Sequence, residues 1–180
     1  MCLSLKTIME HLKYPIGKFV YGQNYTEEQT AEHIQNLKEF STLLNHLCQN
    51  LDEDELLKIY RPDSWDIQQL IHHIGESHIN AYIRVKLALT EDNPTIKPYK
   101  ESAWVATPEN RLISHTVSLQ IIESIHVKLV ALLENLTEDE LERTYVHPQY
   151  MRSFRIRELI ALYSWHGPHH IAHIQLALAN

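Results

Sequence analysis

Apolar residues recur every three or four positions along four long stretches of the chain, which is the spacing of an α-helix with one buried face. These stretches span approximately residues 26–49, 64–89, 114–135 and 154–179. Thr26 and Ser64 precede the first two stretches and are good N-cap residues, and Asp66 falls in the first turn of the second. No segment alternates convincingly with a period of two, so we expect an all-α chain without strands.

A short acidic sequence occurs twice between the long stretches. Residues 51–60 read Leu-Asp-Glu-Asp-Glu-Leu-Leu-Lys-Ile-Tyr, and residues 136–145 read Leu-Thr-Glu-Asp-Glu-Leu-Glu-Arg-Thr-Tyr. Each copy is typical of a short helix, capped by Asp52 or Thr137. Two repeats of long helix, short helix and long helix predict a four-helix bundle with pseudo-two-fold helix pairs.

The remaining segments predict connections rather than further bundle helices. Residues 90–109 carry Pro94, Pro98 and Pro108, and they are long enough to form the crossover between the two helix pairs. Loops of this length are often functional, so the crossover is a candidate cover for a site. Residues 1–25 predict an extended N-terminal arm. The length predicts one domain, spanning residues 1–180.

Charge and cysteine content narrow the class of protein. The net charge is −7 and no stripe of lysine and arginine is present, which argues against a nucleic-acid partner. No apolar run approaches the length of a bilayer span, so we expect no membrane partner. Cys2 and Cys48 form neither a disulfide framework nor a zinc knuckle and suit a reducing compartment. We therefore expect a cytoplasmic protein that acts on a small molecule.

The last helical stretch carries the candidate chemistry. Among thirteen histidines, His166 and His170 lie four residues apart and share one helix face, and His169 and His173 form a second such pair. Clustered imidazoles repel one another on protonation, and a divalent cation gives a reason to place them together. Three protein ligands with an open fourth position are the arrangement of a catalytic zinc-type site. On spacing alone, a histidine-rich surface helix stays open as the alternative.

A third ligand from a facing helix would be His72 or His73. Adjacent residues point about 100° apart on a helix, so at most one of them joins a given site. His73 shares a face with Ser77, Asn80 and Arg84, a polar line that core packing does not explain. This line favours His73, although a histidine satisfied within the core is the alternative for this residue taken alone.

The other histidines are assigned from their surroundings. His78 lies on a different face from His73 and is a candidate to support the site indirectly. His147 precedes Pro148 and is interpreted as a turn residue. Five histidines lie among charged residues and are interpreted as surface or edge positions: His11, His33, His46, His115 and His126.

Several sequence blocks carry a family resemblance. They are Tyr14-Pro-Ile-Gly17, Ser64-Trp65, the segment 71–99, Trp104, Val146-His147-Pro148 and the segment 165–173. Together they resemble the DinB/YfiT-like family of metal-binding four-helix bundles, and most of all its YfiT branch, over nearly the whole chain. That branch is described as metal-dependent hydrolases and is linked to bacillithiol S-transferase activity.

The resemblance implies a ligand set and a cofactor. The family places a metal on one histidine of the second bundle helix and two of the last, which correspond here to His73, His166 and His170. It implies one divalent ion per chain, zinc or nickel, and a homodimer. Gly167 and Pro168 depart from the family pattern, and a proline inside a helix tends to kink it beside the ligands.

Two chemistries follow from a divalent ion on three neutral imidazoles. Water could be activated there for hydrolysis, or a low-molecular-weight thiol for S-transfer to an electrophile. No carboxylate stands out as a general base near the ligands, which favours the thiol. Arg84 is the first candidate for an anion contact, and Asn80 and Tyr82 are further candidate catalytic residues. The alternative is a non-catalytic scaffold or a stress-response dimerisation protein.

Overall fold

Four long helices form the bundle that the sequence predicts. The computed structural model describes the backbone of residues 5–180 and the side chains from Thr7 onward. In chain order the elements are α1 (Leu5–Lys13), α2 (Glu27–Cys48), α3 (Glu53–Leu56), α4 (Ile67–Thr90), α5 (Glu101–Val105), α6 (Glu109–Leu112), α7 (His115–Leu133), α8 (Glu138–Leu141), β1 (Thr144–His147), β2 (Arg152–Arg155) and α9 (Ile156–Leu178). Helices α7 and α9 each pack against both α2 and α4, so α9 lies beside α4.

Side-chain caps fix where α2 and α4 begin. Thr26 caps α2 through a reciprocal capping box, as predicted. Helix α4 is capped by Asp66, whose carboxylate accepts from the Gln69 N–H at 2.9 Å. The prediction of Ser64 as this cap is wrong, because its hydroxyl instead donates to the Arg61 carbonyl in the preceding turn.

The short helices α3 and α8 occupy equivalent places in the two halves of the chain. Each begins with a capping box, on Asp52 and Thr137 as predicted. The Ile67 N–H then donates to the Lys58 carbonyl at 3.1 Å, and the Ile156 N–H donates to the Arg143 carbonyl at 2.9 Å. Because residues 58 and 143 are matched positions of the sequence repeat, the repeat in sequence is also a repeat in structure.

A two-stranded hairpin precedes α9, where the sequence predicts the start of a helix. Strands β1 and β2 pair antiparallel, with Tyr145 opposite Phe154. The crossover adds to this hairpin, because the Val146 N–H donates to the Pro94 carbonyl at 2.8 Å. The expectation of no strands is therefore wrong. Four-residue strands are too short for an alternating pattern to stand out in the sequence.

The N-terminal segment is not extended throughout. Residues 5–13 form α1, in which Ile8 and Leu12 are spaced as on one helix face. The prediction of an extended arm is wrong for this part, and residues 1–4 of the arm lie outside the described residues. Residues 14–26 contain turns and irregular backbone but no helix or strand.

Helix α7 tests the expectation that no apolar run is long enough to span a membrane. Within the described chain, α7 has the length and apolar composition that could cross a bilayer, contrary to that expectation. It packs against both α2 and α4, and an apolar face buried in this way is what a bundle helix requires. The absence of a membrane partner stays a prediction.

Candidate metal centre

Three predicted histidines meet between α4 and α9. One ring nitrogen of each of His73, His166 and His170 lies within 4.8 Å of one from both others. The ring centroids are 5.6 Å apart for His73 and His166, 5.1 Å for His73 and His170, and 4.5 Å for His166 and His170. His73 and His170 are buried, whereas His166 is half-buried. The structure thus brings together the three side chains that the family resemblance implies as ligands.

Burial keeps these imidazoles neutral. It lowers the pKa of His73 to about 4. The pKa values of His166 and His170 also lie well below the usual imidazole range, because of burial first and of the neighbouring imidazoles second. A neutral imidazole has an unprotonated nitrogen, so all three side chains are in the form that binds a metal at pH 7.

His72 takes no part in this cluster. Its Nδ1 lies 2.8 Å from the Ser118 hydroxyl of α7. The ring therefore contacts α7, while His73, one residue later, reaches the histidines of α9. This placement agrees with the preference for His73 that the polar face of α4 indicates.

Helix α9 continues through Gly167 and Pro168, so the proline does not separate the His166 and His170 rings. Packing explains the glycine at position 167, because a Cβ there would lie 2.6 Å from two carbons of the Phe40 ring. That ring stacks on the imidazole of His78, with 5.3 Å between centroids. The missing side chain at position 167 lets α2 place an aromatic ring against the histidine cluster.

Two histidines that the sequence places at the surface are buried in α7. His126 is 2% exposed and His115 is 6% exposed. The positions of α7 that are buried are His115, Ser118, Leu119, Ile122, His126, Leu129, Val130 and Leu133. His126 Nε2 lies 2.7 Å from His78 Nδ1, and His78 Nε2 lies 3.2 Å from His166 Nδ1. The surface interpretation is wrong for both residues. Their spacing of three or four from the buried leucines is the signal that could have found them.

A second histidine group shares His170. His169, His170 and His173 also have ring nitrogens within 4.8 Å of one another. All three are buried, and His173 Nε2 lies 3.2 Å from the Lys13 carbonyl. A catalytic metal site keeps one position open to substrate. The group with the half-buried His166 is therefore the better candidate for a catalytic centre.

A cavity of about 150 Å³ adjoins His166. Its wall is formed by the following side chains of the N-terminal segment, α4, the crossover, the hairpin and α9: Tyr21, Ser77, Arg84, Pro98, Tyr99, Glu101, Tyr145, His147, Gln149, Tyr150, Phe154, Leu162, Tyr163, Trp165 and His166. The crossover borders the site, as its length suggests. Among the described residues, Arg84 has no carboxylate within ion-pair distance. The indole Nε1 of Trp165 is a buried donor that has no hydrogen-bond partner in the part of the chain that the structure describes.

The other two candidate catalytic residues lie outside this wall. The Asn80 amide donates to the Glu76 carbonyl of its own helix at 2.9 Å. Tyr82 packs against the apolar core, with Lys128 over its ring. His147, interpreted as a turn residue, instead ends β1, is buried and lines the cavity.

The donor set suits a borderline divalent cation. It contains nitrogen only, which fits zinc or nickel and not magnesium or calcium, whose ligands are oxygen atoms. His73 Nδ1 is buried and has no hydrogen-bond partner among the described residues. An unpaired polar atom in a buried site is consistent with a ligand that the protein chain does not itself supply.

A helical bundle with three convergent histidines and an adjoining cavity defines the class of metal-binding four-helix bundles. The sequence matches the family model described as the DinB superfamily over residues 36–174. The chain belongs to this superfamily.

The relatives support a metal-dependent enzyme at a general level. A protein of Halalkalibacterium halodurans named "Putative metal-dependent hydrolase" is 48% identical over 166 residues, which cover 92% of this chain and 96% of that protein. A Bacillus cereus protein of the same name is 44% identical, with 92% and 95% covered. The solved structure of YfiT from Bacillus subtilis, described as having "an unusual four-helix bundle topology", matches with a TM-score of 0.88 at 35% identity. It covers 92% of this chain and 94% of its own, and the resemblance to the YfiT branch is confirmed.

A more distant likeness shows the fold alone. The crystal structure of the mycothiol-dependent maleylpyruvate isomerase matches with a TM-score of 0.65 at 16% identity. The match covers 81% of this chain and 60% of that one. The bundle is thus shared with an enzyme whose name includes a thiol cofactor.

Proposed function

We propose that the protein is a metal-dependent enzyme that transfers a low-molecular-weight thiol to an electrophile. His73, His166 and His170 would hold one divalent ion, zinc or nickel. The observation that carries the proposal is the convergence of these three neutral imidazoles beside a cavity that also contains Arg84. When bound, such an ion supplies a Lewis acid that lowers the pKa of a thiol or of water.

The cavity wall suits a co-substrate that carries a carboxylate. The guanidinium of Arg84 is free of competing ion pairs within the described chain, and it could bind a carboxylate through two parallel hydrogen bonds. Trp165 Nε1, in the same wall, is a second donor without a partner among the residues that the structure describes. Tyr99, Tyr150 and Phe154 add aromatic surface that limits water around the reacting atoms. Arg84 would thus orient the thiol with its sulfur towards His166.

Thiol transfer makes few demands on the remaining side chains. With its pKa lowered at the site, the thiol would release its proton to solvent. The resulting thiolate is itself the nucleophile and needs no general base. Its sulfur forms the new bond to the electrophilic carbon as the leaving group departs with the bonding electrons. The residues in the wall then have only to bind and orient the two substrates.

Hydrolysis is the second candidate function, and the position of Glu101 favours it. This carboxylate lies at the exposed rim of the same cavity, and partial desolvation raises its pKa. A carboxylate with a raised pKa can take a proton from an attacking water. The names of the relatives also favour this reaction.

The experiment compares two thiols that differ in charge. Zinc-loaded protein is incubated with an aryl chloride and either 3-mercaptopropionate or 2-mercaptoethanol. We expect turnover that a chelator abolishes. We expect Arg84→Met to lower kcat/KM for 3-mercaptopropionate roughly 10- to 100-fold, the effect of losing charge-assisted hydrogen bonds of about 1.5–3 kcal/mol. The rate with 2-mercaptoethanol should change little.

Matched variants separate the candidate functions. Arg84→Lys keeps the charge but not the paired geometry, so it should fall between wild type and Arg84→Met. Hydrolysis of an aryl ester that depends on both zinc and Glu101, without thiol transfer, would replace the proposal by its second candidate. Rates of both reactions that are no higher with the protein than without it would contradict an enzyme and favour the scaffold.

A further inference from the structure

We propose that His78, His126 and His173 are positioning residues that decide which nitrogen of His166 and His170 carries the proton. This inference rests on the metal centre proposed above and adds no ligand to it. Its basis is a pair of hydrogen-bonded chains, each of which runs from a backbone carbonyl to a ligand imidazole.

The first chain starts at the carbonyl of Leu37 in α2. This oxygen can only accept, and His126 Nδ1 lies 2.8 Å from it, so the proton of that ring is on Nδ1. His126 Nε2 is then an acceptor, and His78 Nδ1 donates to it at 2.7 Å. His78 Nε2 in turn accepts from His166 Nδ1 at 3.2 Å. The lone pair of His166 is therefore on Nε2.

The second chain starts at the carbonyl of Lys13, at the end of α1. His173 Nε2 lies 3.2 Å from this oxygen and must donate to it. His173 Nδ1 is then an acceptor for His170 Nδ1, 3.4 Å away. The lone pair of His170 is therefore also on Nε2, and both chains end in the same tautomer.

Aromatic stacking holds the intermediate rings in place. Phe40 stacks on His78 and packs on His126, with 5.3 and 5.2 Å between centroids. Tyr60 stacks on His173 at 4.0 Å, with an interplanar angle of 16°. Phe40 can approach this closely only because position 167 has no side chain. A ring that cannot turn keeps its two nitrogens aimed at fixed partners.

Preset tautomers matter because a metal binds an unprotonated nitrogen. With both chains intact, the two ligands of α9 offer Nε2 before an ion arrives, and no proton has to move between ring nitrogens. Loss of such outer partners of ligating histidines typically costs 10- to 100-fold in metal affinity. His73 Nδ1 has no partner among the described residues, so the third ligand is not preset in this way.

The same assignment bears on the group of His169, His170 and His173. Both nitrogens of His173 are engaged, one with Lys13 and one with His170. A histidine in this state orients its neighbour and has no lone pair to offer an ion. We therefore expect one zinc ion per chain, and two tightly bound ions would contradict the role of His173.

The direct test reads the tautomers by ¹⁵N NMR of histidine-labelled, metal-free protein, since protonated and unprotonated ring nitrogens have well separated shifts. We expect the proton on Nδ1 in His166, His170, His78 and His126, and on Nε2 in His173. A proton on Nε2 of His166 or His170 would overturn the inference. No metal takes part, so this readout is independent of the proposed function.

Variants on α7 test the consequence for affinity. His126→Phe removes the link between Leu37 and His78, and we expect zinc affinity, measured by chelator competition, to fall about 10- to 100-fold. His126→Gln has a donor and an acceptor and should restore most of that loss. His115→Phe is the matched control. His115 Nε2 lies 3.0 Å from the Cys48 carbonyl of α2, the helix that also carries Leu37. Unlike His126, His115 is not linked to the candidate ligands among the described residues.

The outcomes separate a failure of this inference from a failure of the proposed function. Equal zinc affinities for His126→Phe and His115→Phe would overturn the positioning role while leaving the metal centre in place. The protein could show the expected tautomers and affinity order but neither thiol transfer nor hydrolysis. This result would support the positioning role and contradict an enzymatic function.

Discussion

At the scale of single residues, the close approach of Phe40 to Gly167 is the most demanding contact beside the metal centre. The Cβ that an alanine would add at position 167 would lie 2.6 Å from two atoms of a ring that is itself buried. The same ring packs on His78 and His126. A change at this glycine therefore acts on the histidines of α7 and α4 through packing alone.

We expect Gly167→Ala to lower the free energy of unfolding by about 1–3 kcal/mol, the usual cost of overpacking a core. Gly75→Ala is the matched control, because Gly75 is also a buried helical glycine but its added Cβ would meet Ser118 at an ordinary 3.6 Å. That variant should gain up to about 1 kcal/mol from helix propensity. Urea denaturation measures both, and destabilisation of equal size in the two variants would contradict the role assigned to Phe40.

The buried histidines predict a pH dependence of stability in metal-free protein. The native pKa of His73 is lowered to about 4, against about 6.5 in an unfolded chain. Between these values the unfolded state binds more protons, so stability is complete above about pH 6.5 and is lost as the pH falls through 4. A shift of this size corresponds to on the order of 3 kcal/mol for His73.

Urea denaturation with chelator at pH 7.5, 6 and 5 checks this dependence. We expect the free energy of unfolding to fall at each step, and to fall less in His73→Phe than in wild type. Equal values at pH 7.5 and 5 in the wild-type protein would contradict neutral, buried imidazoles.

The spacing of residues along a helix is visible in the sequence, whereas the burial of a polar side chain is not. The i, i+4 spacing offers two pairs, His166 with His170 and His169 with His173, and the family resemblance selects the first pair. The polar face of α4 and the same resemblance favour His73 over His72. The sequence does not predict the burial of His126, because a histidine two residues from Lys128 resembles a surface residue. Its spacing from Ile122 and Leu129 nevertheless fits the buried face of α7.

At the scale of elements, the structure corrects the prediction of which residue caps α4. This correction has a measurable consequence for stability. Asp66 caps the helix, and its other carboxylate oxygen pairs with Arg111 at 2.6 Å. We expect Asp66→Ala to cost about 1 kcal/mol or more, and Asp66→Asn less, since Asn also caps well. Ser64→Ala removes only hydrogen bonds within the turn that precedes the helix, to the backbone of Arg61 and Trp65. A larger loss for Ser64→Ala than for Asp66→Ala in urea denaturation would restore Ser64 as the cap.

The long helices and both short capped helices could be predicted because each has many apolar positions at helical spacing or a complete capping box. The hairpin could not, because β1 and β2 have four residues each and depend on a partner from the crossover. Helix α1 was missed for a similar reason, since nine residues give only two turns of pattern.

At the scale of the whole molecule, the bundle determines what the sequence cannot, namely which helix faces meet. Helix α9 packs against α4, and this brings His73 to residues almost a hundred positions away in sequence. The cavity beside His166 also depends on the crossover and the hairpin, whose side chains no helical pattern places together. The family resemblance implies His73 as the third ligand, and in the structure its ring lies close to those of His166 and His170.

The homodimer stays a prediction at this scale. We expect light scattering coupled to gel filtration to give twice the mass of one chain, 21.1 kDa. A single-chain mass across a hundredfold range of concentration would contradict it. The three candidate ligands belong to one chain, so either result leaves the ligand assignment unchanged.

We expect His73, His166 and His170 to hold one metal ion per chain. The measurement that tests it most directly is elemental analysis of untagged wild-type protein beside His73→Ala, His166→Ala and His170→Ala, with His72→Ala as the matched control. We predict close to one zinc or nickel ion per chain in wild type and in the control, and almost none in the three other variants. Equal metal in wild type and His73→Ala, or no metal in the wild type, would contradict the account.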